Sequence, residues 1–333
     1  MEKNNRFIAV VAAAGIQVLI FDRQTALTGA AKGITLCITT LIPSLFPFIL
    51  LSILLTSSLS GQVLRPLQPI TSACKMPNGT ESLLAISFLG GYPVGAQNVS
   101  LLYQQGQLTA SQSMRMLSFC NNAGPAFIFG ILGLQFSNKI IPWLLWLIQI
   151  FSSLCVGFLL PGAAPVTVRA LPQKVRTTAA LSQALKAMSQ ICGWVILMGM
   201  VLAFLDSWFL RSLPVHIQVA VSGILELSNG CVRLGEIECE GLRFLIASGL
   251  LTFGGICVTL QTASVAEGIS MNQYFPGKLL QSSISILLSC LFQFIFPAES
   301  RFSLAFPAFI LSAGVATIVF FTQYSKKVVA IPQ

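Results

Sequence analysis

Apolar stretches, each near the ~20 residues a helix needs to cross a hydrocarbon core of ~30 Å, recur along the whole of this chain. The clearest run from Ile34 to Thr56, Ile140 to Leu160, Ile191 to Phe209, Leu279 to Phe296 and Leu304 to Phe321, with a shorter one from Phe7 to Phe21. In hydrocarbon the backbone finds no water, so a spanning segment must satisfy its own amides, and runs of this length do so as helices. The sequence therefore predicts an all-α, polytopic integral membrane protein with no stretch left for a separate soluble domain. Composition agrees, since 55% of the 333 residues are hydrophobic and 9% charged, against roughly 25% charged in soluble domains.

The net charge of +9 arises from 19 Lys and Arg scattered singly between the apolar runs. They form no basic stripe and are not interleaved with aromatic residues, so nucleic acid is excluded as a partner, and they serve instead as topology signals. The segment from Pro161 to Arg176 gathers Pro161, Pro165, Pro172, Arg169, Lys174 and Arg176 and reads as a cytoplasmic connector. With the connector, the N-terminus and the Lys326/Lys327 tail on the cytoplasmic side, the Ile34 run travels inward and the Ile191 run outward. The expected divisions are an N-terminal helix at 1–33, a first half at 34–160, a basic connector at 161–182, and a second half with further C-terminal helices at 183–333. The N-terminal run follows Lys3 and Arg6 as a signal peptide would, but ends at Asp22 and Arg23 just before another apolar run. It is expected to stay as a signal anchor.

Two apolar regions, about Leu83 to Leu134 and Val215 to Tyr274, are broken repeatedly by Gly, Pro, Asn and Ser. In each half two interruptions lie about thirty residues apart, at Gly90-Gly91-Tyr92-Pro93-Val94-Gly95 and Asn121-Asn122-Ala123-Gly124-Pro125, then at Glu226-Leu227-Ser228-Asn229-Gly230 and Gly254-Gly255. Matching interruptions in oppositely directed halves point to an inverted-repeat, transporter-like core of broken or re-entrant helices, with a binding site where the breaks meet. Unwound backbone survives at membrane depth only when buried in protein or lining a wet cavity. Gly90, Gly91, Pro93, Gly95, Gly124, Pro125, Gly254 and Gly255 are accordingly read as structural breaks.

Glu226 is the ionisable residue that most invites a role, because it ends an apolar stretch where a carboxylate costs about 2.5 to 3.5 kcal/mol to insert. It can face a cavity, binding a proton or cation or accepting a hydrogen bond from a solute hydroxyl, or it can sit at the interface paired with Arg233. Asn121 and Asn122 either cap freed backbone groups or reach a cavity. Gln97, Asn98, Ser228, Asn229 and Gln261 add uncharged polar groups suited to a neutral polar solute. Five of the nine cysteines, Cys37, Cys155, Cys192, Cys257 and Cys290, lie in apolar runs without a CxxC pair, and the one histidine, His216, has no ligand partners. No metal or other cofactor is expected. No P-loop, Gly-x-Ser-x-Gly elbow or His-Glu-x-x-His occurs, so an enzyme is not expected either.

Three motifs, Gly91-Tyr92-Pro93-Val94-Gly95-Ala96, Phe119-Cys120-Asn121-Asn122-Ala123-Gly124-Pro125 and Phe253-Gly254-Gly255-Ile256-Cys257-Val258, resemble those of the YlbJ-type sporulation integral membrane proteins. That family is grouped with the nucleoside-recognition "Gate" domain proteins. The resemblance covers about Ile34 to Phe296 and implies a multi-pass protein of the bacterial cytoplasmic membrane, two Gate-like repeats, and a part in spore formation. It differs in having Gln97 where the family often has Lys. The function expected is binding or moving a small polar solute such as a nucleoside; the alternative is a scaffold or assembly partner in spore-envelope formation, without transport. Expected partners are the lipid bilayer, a small polar solute, and further copies of the chain or other sporulation membrane proteins.

Overall fold

A computed structural model describes residues 2–59, 64–162 and 176–295. The expected span from Leu304 to Phe321, the Lys326/Lys327 tail and most of the basic connector lie outside the described residues. Among those described, every regular element is helical and five helical stretches are long and apolar enough to cross a membrane. The chain is a multi-pass, all-α membrane protein, as the apolar runs required.

α1 (Glu2–Phe21) leads into α2 (Arg23–Leu36), which Asp22 caps by accepting from the Thr25 N–H at 3.1 Å. A π-helical turn at Cys37–Leu41 joins α2 to α3 (Ile42–Leu59), so the first span runs from Arg23 to Leu55 and starts well before Ile34. The early turns are too rich in Gly, Ala and Thr to register as apolar, yet they hold the most extensive helix pairing among the described residues. A methyl group on Gly29 would sit 2.8 Å from the Gly199 carbonyl oxygen, and one on Gly33 2.8 Å from the Ile196 Cα. Small residues let two backbones meet this way inside a membrane. The partner is α10 (Thr177–Trp208), which begins inside the stretch assigned to the connector.

The first half continues through α4 (Gln68–Ala73), α5 (Glu81–Leu89), α6 (Val94–Gln104), α7 (Ala110–Leu117), α8 (Pro125–Gly130) and the membrane-length α9 (Ile141–Leu159). The second follows α10 with α11 (Val215–Leu225), α12 (Leu227–Arg233), α13 (Glu240–Phe253), α14 (Gly255–Val265) and α15 (Tyr274–Ile295). α13 and α14 together form one 26-residue apolar stretch interrupted at Gly254, and it is the most enclosed: 78% of its most apolar window is buried, against 28% to 44% in the other spans. α6, α9, α10, α11, α12 and α15 pack against it.

Side-chain polarity is turned inside out relative to a water-soluble protein. α9 points Trp143, Leu147, Phe151 and Phe158 outward and buries Gln149, Ser152 and Ser153. α15 buries Lys278, Gln281, Ser285 and Ser289, and the last two are bonded to Ser248 of α13, with Oγ–Oγ distances of 2.6 and 2.8 Å. Such bonds stabilise helix pairs where hydrophobic burial cannot, because lipid is as apolar as the core.

Candidate functional site

All four interruptions expected from the sequence are places where helices stop. The segment from Gly90 to Pro93 separates α5 from α6 and contains a cis Tyr92–Pro93 bond. Ser118 to Gly124 runs without helix from the end of α7 to α8, which Pro125 opens at a position where its missing N–H has no helical partner to lose. Glu226, at φ −144°, divides α11 from α12. Gly254 turns the chain between α13 and α14 at φ +82°, a left-handed conformation that glycine adopts without a Cβ penalty.

These breaks meet one another. A methyl group on Gly95 would lie 2.0 Å from the Cys120 carbonyl oxygen, so only glycine lets the two first-half breaks touch. The Tyr92 hydroxyl donates to the Leu251 carbonyl at 3.3 Å, crossing to the second half beside Gly254. Gly255 packs on the carbonyls of Gly223 and Ile224 and the N–H of Leu227, closing the set around Glu226.

Glu226, Ser228 and Gln261 share an inner cavity of about 60 Å³ with Gly90, Gly91, Tyr92 and Gly124. That volume holds a few water molecules, each needing roughly 10 to 15 Å³ by this measure. Gln97 and Asn98 line a separate, larger cavity of about 530 Å³ with Gln104, Gln190, Ser264 and Glu267. The two cavities are stacked on successive turns of the same helices. On α3, Ile49 and Ser52 face the inner one and Ile53 and Ser57 the outer; on α14, Val258 and Gln261 precede Ser264 and Val265; on α10, Ile191 follows Ala187 and Gln190. The outer cavity lies toward the beginning of α10, the end of the molecule from which the connector leaves.

Glu226 is 2% exposed and is not paired with Arg233. Its carboxylate accepts from the Ser228 N–H at 2.9 Å, the Asn229 N–H at 2.7 Å and the Asn229 side-chain amide at 3.0 Å. These donors fix the carboxylate at the edge of the inner cavity. Arg233 instead donates to both Glu236 oxygens, to Gln218 and to Ser222, with Asp206 at 3.9 Å. Pro93, Asn229 and Pro125 support the breaks without lining either cavity, as do Gly95, Gly254 and Gly255.

Asn121 and Asn122 also stand apart from the cavities, fully buried in a network the sequence reading missed. Lys278 on α15 donates to the Asn121 carbonyl, to the Gln281 side-chain oxygen at 2.8 Å and to the Asn122 side-chain oxygen at 3.4 Å. Gln281 donates to the same Asn122 oxygen at 2.9 Å, Asn122 donates to the Phe119 carbonyl at 2.7 Å, and Asn121 donates to Thr262 at 2.8 Å and Tyr274 at 3.2 Å. A readable signal existed: Tyr274, Lys278, Gln281, Ser285 and Ser289 recur at helical spacing on one face of an otherwise apolar run. Arg115 was missed as well. It is 5% exposed and donates to the carbonyls of Cys74 at 2.5 Å, Lys75 at 3.3 Å, Leu160 at 3.4 Å and Gly157, gathering the C-terminal ends of α4 and α9. Among the described residues no three of His, Cys, Asp and Glu gather as a metal site would require, and none of the nine cysteines forms a disulfide.

Set against known proteins, the chain matches no family model and no solved structure. It is similar to the sporulation integral membrane protein YlbJ of Bacillus subtilis (strain 168), at 24% identity over 314 residues, covering 79% of this chain and 76% of that protein. The YlbJ-type resemblance carried by the three motifs thus fits a similarity that runs through most of the chain. The wider Gate assignment has no such match.

Proposed function

We propose that this chain is a sporulation-associated membrane protein that takes up a small, uncharged polar solute in its outer cavity and passes it toward Glu226 through a Gate-like inverted-repeat core. The observation behind this reading is the stacking of the two cavities on successive turns of α3, α10 and α14. The outer cavity falls within the ~300 to 1,000 Å³ typical of small-molecule sites, and its amide side chains both donate and accept, as the edge groups of a nucleoside would require. The inner cavity is too small for such a solute at rest. Movement between the two therefore requires the breaks at Gly90–Pro93 and Gly254–Gly255 to shift, which is the alternation expected of broken-helix transporters. With the connector cytoplasmic, the outer cavity opens to the cytoplasmic side.

The test is complementation in an endospore former lacking its own copy, with spore yield, spore small-molecule content by mass spectrometry and membrane level by immunoblot measured together. Glu226→Gln and Gln97→Leu should each reach the membrane at normal level and yield spores deficient in one class of small molecule. Wild-type spores from both variants would refute solute movement and favour the scaffold reading, in which altered surface loops rather than the cavities would abolish function.

A further inference from the structure

Lys278 places its amine inside the helix bundle with no carboxylate beside it. It is fully buried, and the ion pairs found among the described residues join Arg233 to Asp206 and Glu236. Its surroundings are neutral oxygens: the backbone carbonyl of Asn121 and the side-chain oxygens of Asn122 and Gln281, with the Tyr92 ring centroid 5.5 Å from Nζ. The carbonyl belongs to the unwound segment between α7 and α8, which leaves it without a helical N–H partner. The aromatic face adds its own attraction. Carbonyl and amide oxygens replacing a hydration shell are the means by which proteins hold alkali-metal ions away from water.

We propose that these oxygens form a monovalent-cation site that the chain fills with its own ammonium. Lys278 brings covalently the positive charge that Na⁺ or K⁺ would otherwise bring to the Asn121–Gly124 break, and the protein holds this break closed without either ion. Two of the three oxygens, on Asn121 and Asn122, come from the first half, while the ammonium and the Gln281 oxygen come from α15 of the second, so the contact also ties the halves together. Nothing in this inference depends on a solute.

The full-length chain, purified in detergent, is unfolded thermally in NaCl, KCl or choline chloride at equal ionic strength. The wild type should unfold at one temperature in all three. Lys278→Ala, which empties the site, should unfold several degrees lower in choline chloride and regain stability in methylammonium chloride, whose cation fits the vacated space. Lys278→Met fills the volume without the charge and should be destabilised in every salt. If Lys278→Ala yields no folded protein in ordinary buffer, solubilisation in methylammonium chloride should recover it. The inference is overturned if the wild type is stabilised by Na⁺ or K⁺ over choline. It is overturned equally if Lys278→Met matches the wild type, or if methylammonium gives Lys278→Ala no more than choline does.

Discussion

Three N–H groups converge on the Glu226 carboxylate, and each substitution there should report on them differently. Glu226→Ala removes the cap of α12 and strands the buried Ser228 and Asn229 amides. An N-cap is worth about 1 kcal/mol and an unsatisfied buried donor roughly 1 to 3 kcal/mol, so the unfolding temperature should fall clearly. Glu226→Gln keeps an acceptor oxygen and should fall less, which is why it separates a structural role from a functional one. Gly95 gives a second contrast. Gly95→Ala forces a methyl group against the Cys120 carbonyl at 2.0 Å, whereas a methyl group on Gly193 of α10 meets nothing within 4 Å. The first change should destabilise by about 1 to 3 kcal/mol, as overpacking does. The second should be neutral or stabilising by up to ~1 kcal/mol, because alanine is the better helix former. Paired thermal melts in detergent check both.

Among the helices, the ends are where the sequence and the fold part company. The long spans were legible because a bilayer imposes a length on any segment that crosses it, and the breaks because Gly, Pro and Asn interrupt apolar runs visibly. The start of the first span was not legible, since Gly29 and Gly33 stabilise α2 by closeness to α10 and not by hydrophobicity. Gly29→Leu should therefore weaken the α2–α10 pairing and lower the unfolding temperature, although leucine is the more apolar residue. Arg115 was hidden for a related reason: one arginine between apolar segments reads as a topology signal, and only the folded chain brings the ends of α4 and α9 to it. Arg115→Met should strand those carbonyls and destabilise by at least ~1 to 3 kcal/mol, measurable as loss of folded protein on size-exclusion chromatography.

At the scale of the whole molecule, the candidate site was legible in its parts but not in its assembly. Glu226, Ser228 and Gln261 do share a cavity, but Gln97 and Asn98 line another and the two asparagines neither. The reason is distance along the chain: the Tyr92 bond to Leu251 spans 159 residues and no local pattern announces it. Stacked cavities, the larger of them toward the connector end of α10, make a directional prediction for the proposed function. In a cysteine-free background, Gln97→Cys should react with a membrane-impermeant maleimide supplied from the connector side. It should do so faster than Ser52→Cys, which faces the inner cavity, and neither should react from the opposite side.

The network around Lys278 also sets an order of events during synthesis. The Asn121 carbonyl emerges from the ribosome 157 residues before the Lys278 side chain that donates to it, and Lys278 sits about one turn inside the start of α15, from where its long side chain can reach the interface until the first half receives it. The Asn121–Gly124 break therefore stands without its Lys278 partner until α15 has been made. A chain stopped before Lys278 would leave the first half without the contacts that join Asn121 and Asn122 to α15.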